Sequence, residues 1–140
     1  MSNFNIKERQ VGEVMVLDLD GDMKIGESGS MFQRTIRRLL EEGQRKILLN
    51  LAGVEYIDSS GLGELIAGYT SLDKKDGEIK LLHLSRRVRE LMVITKLLTV
   101  FDVHENESEA LDSFNSSNII LGELSPPSLK GAAPTKELTP

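Results

Sequence analysis

Phe4, Ile6 and Glu8 mark an alternating segment, Val11-Gly12-Glu13 interrupts it, and Val14-Met15-Val16-Leu17-Asp18-Leu19 resumes an apolar pattern. That arrangement predicts two strands joined by a tight turn. Phe32, Ile36, Leu39 and Leu40 then fall at i, i+4, i+7 and i+8 with arginines between them. A helix follows, with Ser28 or Ser30 as its cap and Gly43 at its end. Lys46-Ile47-Leu48-Leu49-Asn50-Leu51 is short and almost continuously apolar, as a buried strand requires, and Val54, Tyr56 and Ile57 carry the pattern onward. Leu62, Leu65, Ile66, Tyr69 and Leu72 return to helical spacing and form the core-facing stripe of a second helix.

The rest of the chain repeats the alternation of strand and helix. Asp76-Gly77 is a turn signal, Glu78 to Leu82 reads as a strand, and Ser85 can cap a helix that buries Val88, Leu91 and Met92. Val100-Phe101-Asp102-Val103 is expected to be a last short strand. Asn106 and Glu109 have capping-box spacing ahead of Ala110, Leu111 and Phe114. The order implies an α/β domain with a mixed sheet of about four to five strands and about four helices, its later units joined by right-handed crossovers. Periodicity does not give the strand order. All four prolines lie after Phe114, among Ser, Gly, Ala and Thr, so residues 1–114 are expected to form the domain and 115–140 a flexible tail. In that tail Ile119-Ile120-Leu121 is the one apolar cluster able to add an edge strand or dock.

The chemistry concentrates where the third strand meets the second helix, at Asp58-Ser59-Ser60-Gly61-Leu62-Gly63. The first N–H groups of a helix lack partners within it and carry a partial positive charge, so a phosphate on Ser59 could be held by backbone donors. Gly61 and Gly63 clear the first turn for close approach by another chain. On spacing alone a plain N-cap is the simpler account. A second helical stripe, Gly63, Ala67 and Thr70, is small; tight packing against a neighbouring helix is the first reading and a partner surface the second.

The residue identities add to this. Asn50-Leu51, Tyr56-Ile57-Asp58-Ser59-Ser60-Gly61-Leu62-Gly63 and Leu65-Ile66 resemble the signature of the bacterial anti-sigma-factor antagonists, members of the STAS domains. By order of elements the resemblance runs over roughly residues 4 to 114, and it is specific around the motif. It implies a compact STAS-like sheet with helices, and a partner switch. In this family the serine after the motif aspartate, here Ser59, is phosphorylated by the cognate anti-sigma factor, an ATP-dependent serine/threonine kinase. The unphosphorylated protein binds that factor and frees the sigma factor, and a metal-dependent serine phosphatase resets the cycle. Asp58, Ser59, Ser60, Gly61, Leu62 and Gly63 are then the partner-binding residues. Family members often carry an acidic residue shortly after the glycine that ends the second strand, whereas here Gly21 leads into Asp22-Met23-Lys24. A scaffold or sensor STAS module without a phosphate cycle is the alternative.

Composition narrows the remaining classes. The chain has 140 residues, enough for one ordinary core, and no cysteine, which excludes disulfides, thiolate metal sites and a cysteine nucleophile. A net charge of −5, no tryptophan, two tyrosines and four phenylalanines argue against a nucleic-acid surface. Arg34-Arg37-Arg38 and Arg86-Arg87-Arg89 lie on predicted helices, with Arg37–Glu41 and Arg38–Glu42 spaced to pair. No stretch approaches the roughly 18 apolar residues of a membrane span, and the N-terminus lacks a signal-peptide core, so a cytoplasmic location without membrane partners is expected. Catalysis is not expected. His83 and His104 are separated and outside any recognisable triad or metal spacing, Ile66 stands where a dinucleotide fingerprint needs its third glycine, and no cofactor is implied.

Overall fold

A computed structural model describes residues 4–121. Strands β1 (Asn5–Val11) and β2 (Val14–Asp20) form the expected hairpin, paired from Asn5↔Asp20 to Val11↔Val14. Gly12 takes a φ of +60° in its two-residue turn, a conformation that favours glycine. Helix α1 (Glu27–Glu41), strand β3 (Lys46–Gly53), helix α2 (Ser59–Lys74), strand β4 (Glu78–Leu82), helix α3 (Arg86–Ile94), a 3-10 turn (Leu97–Thr99), strand β5 (Asp102–His104) and helix α4 (Glu107–Leu121) follow. The sheet order is β1-β2-β3-β4-β5, with β1 antiparallel to β2 and every later pair parallel. The expected mixed α/β architecture is therefore the one observed. Of the described residues, 4–110 form one compact unit, and those of α4 from Leu111 onward belong to a second.

The apolar run of β3 has its reason in the layers. Ile47, Leu49 and Leu51 join the core with Phe32, Ile36 and Leu39 of α1 and Leu65 and Leu72 of α2, yet Leu48, of opposite parity, is also fully buried. A strand covered on both faces cannot alternate with polar residues. At the strand's far end Asn50 is polar because its amide donates to Asp18 Oδ1 at 2.8 Å. Arg9 donates to the same carboxylate at 2.6 and 3.0 Å and to Glu107, in the first turn of α4, at 3.0 and 3.1 Å.

Several local expectations are corrected. Neither Ser28 nor Ser30 caps α1, because the helix begins before both; Gly26 occupies the cap with no side-chain bond. The C-terminus does end at Gly43: its N–H donates to Leu40 O and that of Gln44 to Leu39 O, the paired bonds of a Schellman motif. Strand β5 starts two residues late, since Phe101 turns into the core and pairing begins at Asp102 opposite Lys80. Ser85 caps α3 through Val88 N–H at 3.2 Å, and Asn106 caps α4 through Glu109 N–H at 2.9 Å. Arg38 pairs with Glu42 at 3.0 Å and also with Glu8 of β1. Ile119, Ile120 and Leu121 lie in α4, helical and not an added strand; the remainder of the expected tail, 122–140, lies outside the described residues.

Candidate switch site at the start of helix α2

The site is built by two loops at one end of the sheet. After β2, Gly21 N–H bonds Gly53 O and Met23 N–H bonds Tyr56 O, each at 3.0 Å, while Met23 O accepts from Asp58 N–H at 3.0 Å. Met23 and Ile57 thereby form a parallel bridge beyond the named strands, and both side chains are buried. The chain entering α2 is thus fixed before its first turn. Gly61 fits under this bridge: a Cβ there would lie 2.4 Å from Met23 O, so the position admits no side chain without moving backbone.

Asp58 closes the arrangement. Its Oδ1 accepts from Gly61 N–H at 2.8 Å and its Oδ2 from Ile25 N–H at 3.0 Å, while its carbonyl accepts from Leu62 N–H at 2.9 Å. One side chain therefore caps α2 and ties it to the β2–α1 loop. The Gly61 N–H, then that of Ile25, hold the carboxylate below the usual aspartate range against the small effect of burial, with Ser60 N–H and the charge of Lys24 adding to the shift. The Gly61 N–H, one of the first-turn donors expected to face a phosphate on Ser59, already serves Asp58, because the cap residue lies nearer to it.

The predicted site residues divide by exposure. Gly61 and Leu62 are buried, Asp58 and Ser60 are half-buried, and Ser59 and Gly63 are exposed. Ala67 and Thr70 are exposed as well, so the small stripe faces outward and is not the packing surface of α1. Gly68 takes that role, since a Cβ on it would come within 3.0 Å of the Phe32 ring. With Ile66, 38% exposed although assigned to the core stripe, Ser59, Gly63, Ala67 and Thr70 form one open face of α2. A stripe of residues four apart can be buried or open depending on which neighbour the fold supplies, and periodicity does not distinguish the two.

Sequence reasoning missed the apolar surroundings. Ile25 is 80% exposed beside Asp58, and Tyr56 is 41% exposed with the Arg87 guanidinium 5.8 Å over its ring. A shallow groove of about 260 Å³ runs between Tyr56 and Ile57 on one side and Arg87, Val88, Leu91 and Ile94 of α3 on the other. Its signal in the sequence was weak: Tyr56 sits in an apolar pattern that reads as a continuation of the third strand. Neither histidine reaches the site serines by a hydrogen bond; His104 pairs with Asp102 at 3.0 Å and its carbonyl accepts from His83 N–H. Among the described residues no His, Cys, Asp and Glu cluster could hold a metal ion, and no helix is long and apolar enough to cross a membrane.

Comparison with known proteins agrees with this architecture. The STAS domain family model matches residues 5–110. The chain is 27% identical over 103 residues to an anti-sigma-B factor antagonist of Staphylococcus aureus, covering 74% of this chain and 94% of the relative. Among solved structures, a candidate anti-sigma factor antagonist of Thermotoga maritima superposes with a TM-score of 0.72 at 26% identity, over 77% of this chain and 92% of that one. The phosphorylated Bacillus cell-fate determinant SpoIIAA shares the fold with a TM-score of 0.62 at 22% identity, over 79% and 98% of the two chains.

Proposed function

This chain belongs to the STAS domain family, and from that premise we propose that it is an anti-sigma factor antagonist working as a phosphorylation-controlled partner switch. The unmodified protein docks an anti-sigma factor on the open face of α2 and the apolar residues beside it, Ile25 and Tyr56, and so releases the sigma factor. The anti-sigma factor doubles as an ATP-dependent serine kinase that phosphorylates Ser59, and a metal-dependent serine phosphatase restores the hydroxyl. The protein itself is a substrate of these enzymes and performs no catalysis.

The observation that carries this reading is the contrast between Ser59 and its neighbours. Ser59 is the exposed hydroxyl of the first turn, while Asp58, Ser60 and Gly61 are tied into the cap beneath it. A phosphate there adds roughly −1.5 to −2 charges to the open face without breaking any bond that holds the loop. Modest energies suffice: a hundredfold loss of affinity corresponds to about 2.7 kcal/mol, and like charges brought together at an interface cost several.

The test is to incubate the purified chain with ATP and an anti-sigma factor kinase from the same organism, locate the phosphate by mass spectrometry, and titrate binding before and after. Stoichiometric phosphate on Ser59 with at least a hundredfold weaker binding is expected. Equal binding by both forms would defeat the switch and leave a scaffold or sensor role, for which the groove beside Tyr56 offers a ligand surface.

A further inference from the structure

Lys24 is exposed, and its ammonium forms no salt bridge with any described residue. Its backbone, by contrast, is clamped. Ser28 Oγ accepts from Lys24 N–H and donates to Lys24 O, each at 2.8 Å, which is the use found for this buried hydroxyl inside α1. The residues on either side of Lys24 both bond to Asp58, Met23 through its carbonyl and Ile25 through its N–H. Met23 sends its side chain into the core, and the next residue on the bridged segment faces outward. A flexible cationic side chain is therefore rooted on a fixed backbone directly against the residue that precedes Ser59.

An anion on Ser59 would need such a group. Asp58 occupies the Gly61 donor and its own carboxylate repels a phosphate. The other charged residues on the β2–α1 and β3–α2 segments and at the start of α2, Asp22, Glu27, Glu55 and Glu64, are all acidic, while the Arg87 guanidinium of α3 sits over the Tyr56 ring. Resting on the reading of Ser59 as the modified serine, we propose that Lys24 is the resident counter-ion of the Ser59 phosphate, a positioning residue that draws the modified side chain toward the β2–α1 loop. The charge of Lys24 already acts on Asp58, in keeping with its place. One consequence is that modification changes the docking face twice, since it adds an anion and also withdraws a lysine from any partner that had used it.

The test installs phosphoserine at position 59 of the full chain during translation, so that no kinase is needed, in the native, Lys24→Gln and Lys24→Arg backgrounds. Titration of the phosphate by ³¹P NMR reads its second ionisation. Removing a partly exposed ion pair should raise that midpoint by about 0.2 to 0.7 of a pH unit in Lys24→Gln at low salt, Lys24→Arg should restore the native value, and 1 M salt should shrink the difference. Superimposable native and Lys24→Gln titrations would overturn the proposal. Binding of the anti-sigma factor to the same samples reports separately: loss of the switch with an intact Lys24 effect refutes only the partner reading.

Discussion

Gly61→Ala offers the sharpest test of how the switch site is assembled. The added Cβ would lie 2.4 Å from Met23 O, 2.9 Å from Met23 C and 3.0 Å from Ile57 Cγ2. These are atoms of the bridge that positions Asp58, and two of them are backbone, so no side-chain rotation relieves the contact. Gly63, two residues along the same turn, has nothing within 4 Å of its Cβ position and serves as the control. Alanine gains about the same helix propensity at both sites, at most ~1 kcal/mol, so the difference between the two variants isolates the clash. Overpacking of this kind costs about 1–3 kcal/mol, which at roughly 4 °C per kcal/mol separates the melting temperatures by about 4–12 °C. Gly63→Ala should melt at or slightly above the parent, and Gly61→Ala well below it. Calorimetric or circular-dichroism melts measure the gap, and amide exchange at Ile25 and Asp58 should accelerate in Gly61→Ala alone. A Gly61→Ala protein as stable as Gly63→Ala would show that the loop does not press on α2 as described.

Other expectations follow from the same geometry. Ser59→Ala should bind the anti-sigma factor constitutively and accept no phosphate, whereas Ser59→Asp should bind weakly without kinase; Ser60→Ala should remain a substrate, and phosphate found by mass spectrometry on Ser60 would reassign the site. Asp58→Ala removes the cap and the tie to Ile25 together, so its melting temperature should fall further than that of Ser59→Ala; equal values would refute the double role. Asp18 is held below the ordinary carboxylate range chiefly by the Arg9 guanidinium, which outweighs burial, with the Asn50 amide assisting. Its stabilisation is complete above the unfolded value of about 3.9 and is lost as pH falls through the lower folded value. Asp18→Asn should therefore flatten the acid limb of the stability profile, and an unchanged limb would assign that limb to other carboxylates.

Where local pattern decides structure, the sequence was sufficient. The strand–helix alternation, the cap at Asp58, the Schellman end at Gly43 and the caps at Ser85 and Asn106 depend on residues within a few positions of each other, and each is as expected. Errors arose where a distant partner sets the outcome. Phe101 leaves the predicted strand to join the core beside Tyr69, whose ring it meets edge-on at 5.5 Å, whereas Ser28 is a local exception whose hydroxyl clamps Lys24, four residues earlier.

The order of elements, the α/β class and the position of Ser59 at the opening of α2 were all fixed by periodicity and capping, which act along a few turns of chain. Tertiary structure alone decided that the strands run β1-β2-β3-β4-β5, that Gly63 and Ala67 open outward while Gly68 packs inward, and that Asp58 holds Ile25 from 33 residues away. Helical spacing defines faces but not which neighbour covers them. That choice rests on contacts between segments far apart in the chain, and it is what leaves the Ser59 hydroxyl open on the surface while the residues around it form its support.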